Sequence, residues 1–153
     1  METIKDFEDL LFLFEKYKAK YLIVGGLAFI FYAKPRYTKD MDIWIDPTLQ
    51  NIKKVNKALA EFGSPYLVSI PIKKDEILQL GLPPNRIDIM LKIPGAQFSS
   101  CWKKKVRSKY GKIKVNWIDM DTLIKVKKKI NHPRHQEDVR ILMQIKQTKK
   151  KFD

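Results

Sequence analysis

The sequence predicts a single α/β (α+β) domain: a small mixed sheet flanked by helices, with two helices at the C-terminal end. Three observations carry that expectation. Helical and strand periodicities follow one another as helix, strand, helix, strand, helix, strands, then two helices. The 153 residues, 44% hydrophobic and 31% charged, suit one sizeable core. No repeat or linker interrupts the chain, so residues 1–148 read as one domain and the basic residues 149–153 as a frayed tail.

The elements follow in order. Ile4, Phe7, Leu11 and Phe14 recur at helical spacing within residues 3–18, which predicts an amphipathic first helix. "YLIV" is a short buried strand ended by Gly25 and Gly26, and "LAFIFYA" is a short helix stopped ahead of Pro35. "MDIWI" is the next strand. Asp46 as N-cap and Pro47 in the first turn predict a helix start at "DPTLQN". That helix buries Ile52, Val55, Leu59 and Phe62, exposes Lys53, Lys54 and Lys57, and stops at Gly63. Residues 64–84 carry four prolines around "DEILQLG", which reads as either a short helix or a strand. "RIDIML" returns to alternation, with Ile87, Ile89 and Leu91 on one side and Asp88 and Met90 on the other. "GKIKVNWI" predicts a hairpin-edge strand after a turn at Gly111. Two helices follow Asp119, broken at "NHPRH", where Pro133 fits the first turn of the second.

Composition excludes several classes. No apolar stretch reaches membrane-spanning length, and Glu2, Asp6, Glu8 and Asp9 interrupt any basic-then-apolar leader pattern. Cys101 is the only cysteine, so no internal disulfide forms, and a reducing cytoplasm is the expected compartment. No base accompanies it in "SSCWKKK", which favours an inert thiol. The net charge of +14 is uneven: residues 1–100 hold 14 Lys/Arg against 12 Asp/Glu, and residues 101–153 hold 17 against 5. Such a basic half suits a polyanion such as RNA, DNA or nucleotide phosphates; the plainer alternative is a solvated lysine-rich face.

Asp40 and Asp42 share strand parity and point to one face, with Met41, Ile43 and Ile45 on the other. Paired carboxylates repel and are costly to desolvate unless a cation lies between them. Oxygen-only ligands suit Mg²⁺ or Mn²⁺, and Asp88 on another strand would complete a three-carboxylate site. The alternative is a strand with one wet face and three solvated aspartates. Gly25-Gly26 at a strand-to-helix junction adds a second element, because glycines there let backbone N–H groups approach phosphate oxygens.

"VGG", a spacer of thirteen residues, then "DMDI" resembles the signature of the nucleotidyltransferase superfamily related to DNA polymerase beta. "RYTKDMDIWI" is similar to its small stand-alone branch, which includes minimal nucleotidyltransferases, lincosamide- and aminoglycoside-modifying enzymes, and nucleotidyltransferase-like toxins of toxin–antitoxin systems. "LQLGLPPNRIDIMLKIPGAQFSSCW" and "LIKVKKKINHPRHQEDVRIL" extend the likeness over residues 20–145. The resemblance implies a nucleotidyltransferase-like fold, nucleotide phosphates at Gly25 and Gly26, metal at Asp40 and Asp42, and Asp88 as the third carboxylate, helping to activate the acceptor hydroxyl. It places Lys127 near the triphosphate and Arg134 and Asp138 in a closing helix motif, where relatives often carry an acid in place of His135. On their own, Lys127 reads equally as a solvated lysine and Arg134–Asp138 as an i,i+4 helix pair. Thr38 and Lys39 adjoin Asp40 and either touch phosphate or cap the strand. His132 and His135 read as capping and surface groups, and Trp44, Trp102 and Trp117 as core.

The expected activity is transfer of a nucleoside monophosphate from an NTP such as ATP to an acceptor hydroxyl, with Mg²⁺ or Mn²⁺. The basic C-terminal half favours an RNA (tRNA-like) acceptor. The alternatives are a small-molecule (antibiotic) nucleotidyltransferase and a non-catalytic binding module, nucleic-acid-binding or antitoxin-like. The toxin–antitoxin members imply a small helical protein partner, and no membrane is expected. All three carboxylates are present, which favours the enzyme over the binding module.

Overall fold

The computed structural model describes residues 1–38, 40–130 and 132–152. Its sheet has six strands in the order β3-β4-β2-β1-β6-β5. At its centre β1 (Tyr21–Val24) and β2 (Asp40–Ile45) pair antiparallel, with Val24 opposite Asp42. β4 (Arg86–Met90) runs parallel to β2, and β3 (Ile77–Leu80) closes that side antiparallel. On the other side β6 (Ile113–Trp117) runs parallel to β1, and β5 (Val106–Tyr110) forms the edge. All four residues of β1 are buried, which explains a continuous apolar run rather than alternation.

Helices cover the sheet. α1 (Lys5–Lys16) turns Phe7, Leu10, Leu11 and Phe14 inward and packs against α3 (Leu49–Phe62). α2 (Gly25–Tyr32) starts directly from the end of β1 and lies against β1 and β2. After the short α4 (Phe98–Trp102), α5 (Met120–Lys129) and α6 (Pro133–Phe152) pack on each other and on α2. Phe7, Phe14, Tyr21, Phe29, Trp44 and Trp117 are fully or almost fully buried. Burying each such side chain stabilises the fold by about 1.5–3 kcal/mol.

Several local expectations need correction. α3 is capped by Thr48 rather than Asp46: Thr48 Oγ1 accepts from the Asn51 N–H at 3.3 Å. The buried Asn51 amide then ties α3 to the chain entering β1, accepting from the Lys20 N–H at 2.7 Å and donating to the Lys20 and Asp46 carbonyls. Gly63 ends α3 in the left-handed region as expected, with Phe62 only half-buried. "DEILQLG" supplies a strand, β3. β6 does form a hairpin but is interior, because β5, which lacks an apolar alternation, pairs outside it. Trp102 is half-buried, with the Lys105 ammonium 4.1 Å from its ring centroid. Among the described residues no helix is long and apolar enough to cross a membrane.

Candidate active site

The antiparallel β1–β2 pair and the parallel β2–β4 pair bring three chain segments to one end of the sheet. Val24 stands opposite Asp42 and Asp42 opposite Asp88, so the end of β1 and both acidic strands share one row. Residues opposite one another in a ladder point to the same face. The expected parity therefore holds, and it reaches across strands. One carboxylate oxygen from each of Asp40, Asp42 and Asp88 lies within 4.8 Å of the others. Asp88 is buried, and Asp40 and Asp42 are half-buried, so the water-facing alternative does not describe this face.

Gly25 leads directly into this cluster. Its φ is +65°, and a Cβ built on it would lie 2.2 Å from Asp42 Oδ2. Glycine is required twice over at this position, by backbone conformation and by close approach. Gly26 is tight as well, since a Cβ there would lie 3.1 Å from Thr38 Oγ1. The first turn of α2 leaves N–H groups without intrahelical partners, beside the carboxylates. Thr38 Oγ1 donates to the Asp40 carbonyl at 3.1 Å. Lys39 lies outside the described residues.

A guanidinium interrupts the acidic cluster. Arg86 Nη2 donates to Asp40 Oδ2 at 2.7 Å and to Asp88 Oδ2 at 3.2 Å. Arg86 Nε lies 3.1 Å from Asp88 Oδ1, an ion pair without hydrogen-bond alignment. Asp42 has no such partner among the described contacts. Burial, then repulsion from Asp40 and Asp88, pushes its carboxyl up to about 7, only partly offset by Arg86 and Lys127. Burial also raises Asp88, against the pull of Arg86.

On the other side of the glycine turn lies a buried basic cluster. Asp138 on α6 accepts two hydrogen bonds from Arg36, at 2.6 and 3.0 Å, and one from Lys127 Nζ at 2.9 Å. The Lys127 and Asp138 side chains are 3% and 2% exposed. Burial lowers Lys127, whereas Asp138 is held below its ordinary value because these hydrogen bonds outweigh its burial. The Arg36 guanidinium stacks 4.1 Å from the Phe29 ring centroid. Lys127 is thus a buried partner and not a solvated lysine. Asp138 is engaged by Arg36 and Lys127 rather than by Arg134. Arg134 is exposed at the start of α6, its N–H donating to His132 Nδ1 at 3.1 Å, though its charge reaches Lys127. His135 is half-buried beside this cluster and lowered, by burial first and then by Lys127. Cys101 is buried and its thiol raised by burial, which fits an inert residue.

Sequence reasoning missed Arg36 and Arg86. Strand parity could have found Arg86, two residues before Asp88. Arg36 sits in an irregular segment with no periodicity to place it. Beside these groups opens a cleft of about 1060 Å³ that includes Arg36 and Thr38, with Leu27, Ile30 and Phe31 of α2 along it and Lys109 in its lining.

The donor set fits a hard divalent cation: three carboxylates, oxygen only, one of them without an ion-pair partner among the described contacts. No protein-family model matches the chain, and no curated protein matches it in sequence. Among solved structures it is similar to the lincosamide antibiotic adenylyltransferase LnuA, determined in a lincomycin-bound crystal structure. That likeness has a TM-score of 0.60 and 20% identity, and covers 94% of this chain and 98% of that one. The chain shares the fold of that protein.

Proposed function

We propose that the protein is a metal-dependent nucleotidyltransferase that moves a nucleoside monophosphate from an NTP to the hydroxyl of a small molecule. The single observation that carries this reading is the convergence of Asp40, Asp42 and Asp88 within 4.8 Å, beside the Gly25 turn. Mg²⁺ or Mn²⁺ held by these carboxylates would neutralise charge on the reacting phosphate and make the acceptor hydroxyl more acidic.

The chain's own groups divide the remaining work. Backbone N–H groups at Gly25 and Gly26 and the N-terminus of α2 bind phosphate oxygens. Lys127, Arg36 and the exposed Arg134 supply positive charge toward the triphosphate and the departing pyrophosphate. The acceptor oxygen forms a bond to the α-phosphorus while the bond to the bridging oxygen of pyrophosphate breaks. The hydroxyl proton passes to the third carboxylate, Asp88. Catalysis of this kind rests on positioning and charge neutralisation.

A small-molecule acceptor is supported by the likeness to LnuA and by the concave cleft that shares Arg36 and Thr38 with the site. An RNA acceptor has one observation in its favour, the basic excess of residues 101–153. Incubation with α-labelled NTPs, Mg²⁺ and a panel of hydroxylated compounds and RNAs tests both. Labelled small-molecule product supports the reading. Labelled RNA alone would replace the acceptor. Failure of the protein to transfer label or to bind Mg²⁺–NTP would overturn the enzyme.

A further inference from the structure

The cation inside the acidic cluster belongs to the chain itself. Arg86 stands opposite Asp40 in the parallel ladder and two residues before Asp88 on β4, so its side chain is delivered to the same face as both. Its nitrogens contact Asp40 Oδ2, Asp88 Oδ2 and Asp88 Oδ1 at 2.7, 3.2 and 3.1 Å. Those oxygens belong to the carboxylates that would ligate a divalent ion. A magnesium ion takes its oxygens at about 2.0–2.1 Å in near-octahedral array, so a guanidinium on both Asp88 oxygens and on Asp40 Oδ2 competes with it for their negative charge. Arg86 is also 31% exposed, so an outward path exists for its head group.

We propose that Arg86 is an internal counter-cation that competes with the divalent metal for Asp40 and Asp88 and is handed to the nucleotide phosphates when metal enters. This rests on the metal–nucleotide reading above. Without nucleotide, a metal ion must displace a two-carboxylate ion pair and leave the guanidinium unpaired beside another cation. With nucleotide, the displaced guanidinium finds phosphate oxygens, which it binds with charge-assisted hydrogen bonds. Metal and nucleotide therefore bind with positive coupling, and by linkage each tightens the other by the same factor. Arg86 acts in this scheme as a positioning residue that suppresses metal binding until the substrate is present.

The test is protein-bound Mn²⁺, measured by equilibrium dialysis at fixed free Mn²⁺ with any ATP equal on both sides of the membrane, with and without ATP, for wild type, R86Q and R86K. Wild type should bind Mn²⁺ weakly alone and about tenfold or more tightly with ATP. R86Q should bind Mn²⁺ alone about tenfold more tightly than wild type and lose most of the ATP dependence. R86K keeps the charge, loses the two-carboxylate fork and should fall between. R86K also guards against an R86Q chain that does not fold, as judged by its melting curve. If both variants bind Mn²⁺ alone no better than wild type while wild type binds Mn²⁺–ATP, Arg86 merely orients Asp88 and the competition is disproved. If wild type takes up no Mn²⁺ even with ATP, the metal–nucleotide reading and this inference both fall.

Discussion

At the residue scale the site is set by where charge is left uncompensated. Arg86 pairs with Asp40 and Asp88, which leaves Asp42 as the carboxyl pushed up to about 7, by burial first and then by its acidic neighbours. Asp42→Asn should lower transfer by roughly 10²–10³-fold or more while leaving the fold intact. In metal-free buffer its stability should equal or exceed that of wild type, since one like-charge repulsion is gone. Mg²⁺ with NTP should raise the melting temperature of wild type and not of this variant or of Asp40→Asn. A pH dependence follows as well. In the unfolded chain Asp42 ionises near its ordinary value of 3.8, whereas the folded chain keeps the proton until about 7. The folded state thus binds more protons between those values, so metal-free stability falls as pH rises through that window and levels off above it. Urea unfolding in chelator at about pH 5 and about pH 8 should show this loss in wild type and a smaller one in Asp42→Asn. Equal losses in the two proteins would remove Asp42 as its source.

At the scale of elements, two junctions hold the site. The β1–α2 turn has no room for a side chain at Gly25, because Asp42 occupies the space on a backbone with φ of +65°. Gly25→Ala should cost about 1–3 kcal/mol in urea unfolding and weaken nucleotide binding. The second junction ties α5 and α6 to the segment ahead of β2 through Arg36, Lys127 and Asp138. Asp138→Asn removes the buried anion between two cations and should destabilise the protein by about 3–5 kcal/mol; an exposed helix pair would cost far less. These junctions were legible in the sequence to different degrees. The glycine pair, the aspartate spacing and the parity of Asp88 are short-range patterns, and local geometry preserves them. The Arg36–Asp138 contact joins residues far apart in the chain, so no spacing could reveal it. Asp138 with Arg134 looked like a helix pair because i,i+4 spacing is all that sequence offers. β5 was missed for a related reason: "VRSKY" has no apolar alternation, and its strand identity comes from pairing with β6.

At the scale of the whole molecule, the order of elements was legible because each buried helix or strand carries its own period, whereas strand order depends on pairings between distant segments. The same limit applies to charge. Composition gives +14 but not what that charge faces. In the folded chain part of it is spent internally, on Asp40, Asp88 and Asp138, and much of the rest is surface lysine. On the β5–β6 hairpin Lys109 stands directly opposite Lys114, with Lys112 in the turn between. Glu8 lies at the Gly111 turn, but like charges directly across a strand pair are unfavourable, so this edge is where a polyanion is expected to bind irrespective of its sequence. The expected consequence is RNA binding without RNA modification. A labelled RNA oligonucleotide should associate at about 50 mM salt and largely dissociate by about 200 mM, as counterion release requires. Under the same low-salt conditions α-labelled NTP should leave that RNA unlabelled and mark a hydroxylated small molecule. Lys112→Glu with Lys114→Glu should weaken RNA binding while sparing Mg²⁺–NTP binding, because neither lysine lines the cleft or pairs with the carboxylates or the Arg36–Lys127–Asp138 cluster. Label appearing on the RNA, and lost in that double variant, would reverse the assignment and make the basic hairpin part of the acceptor site.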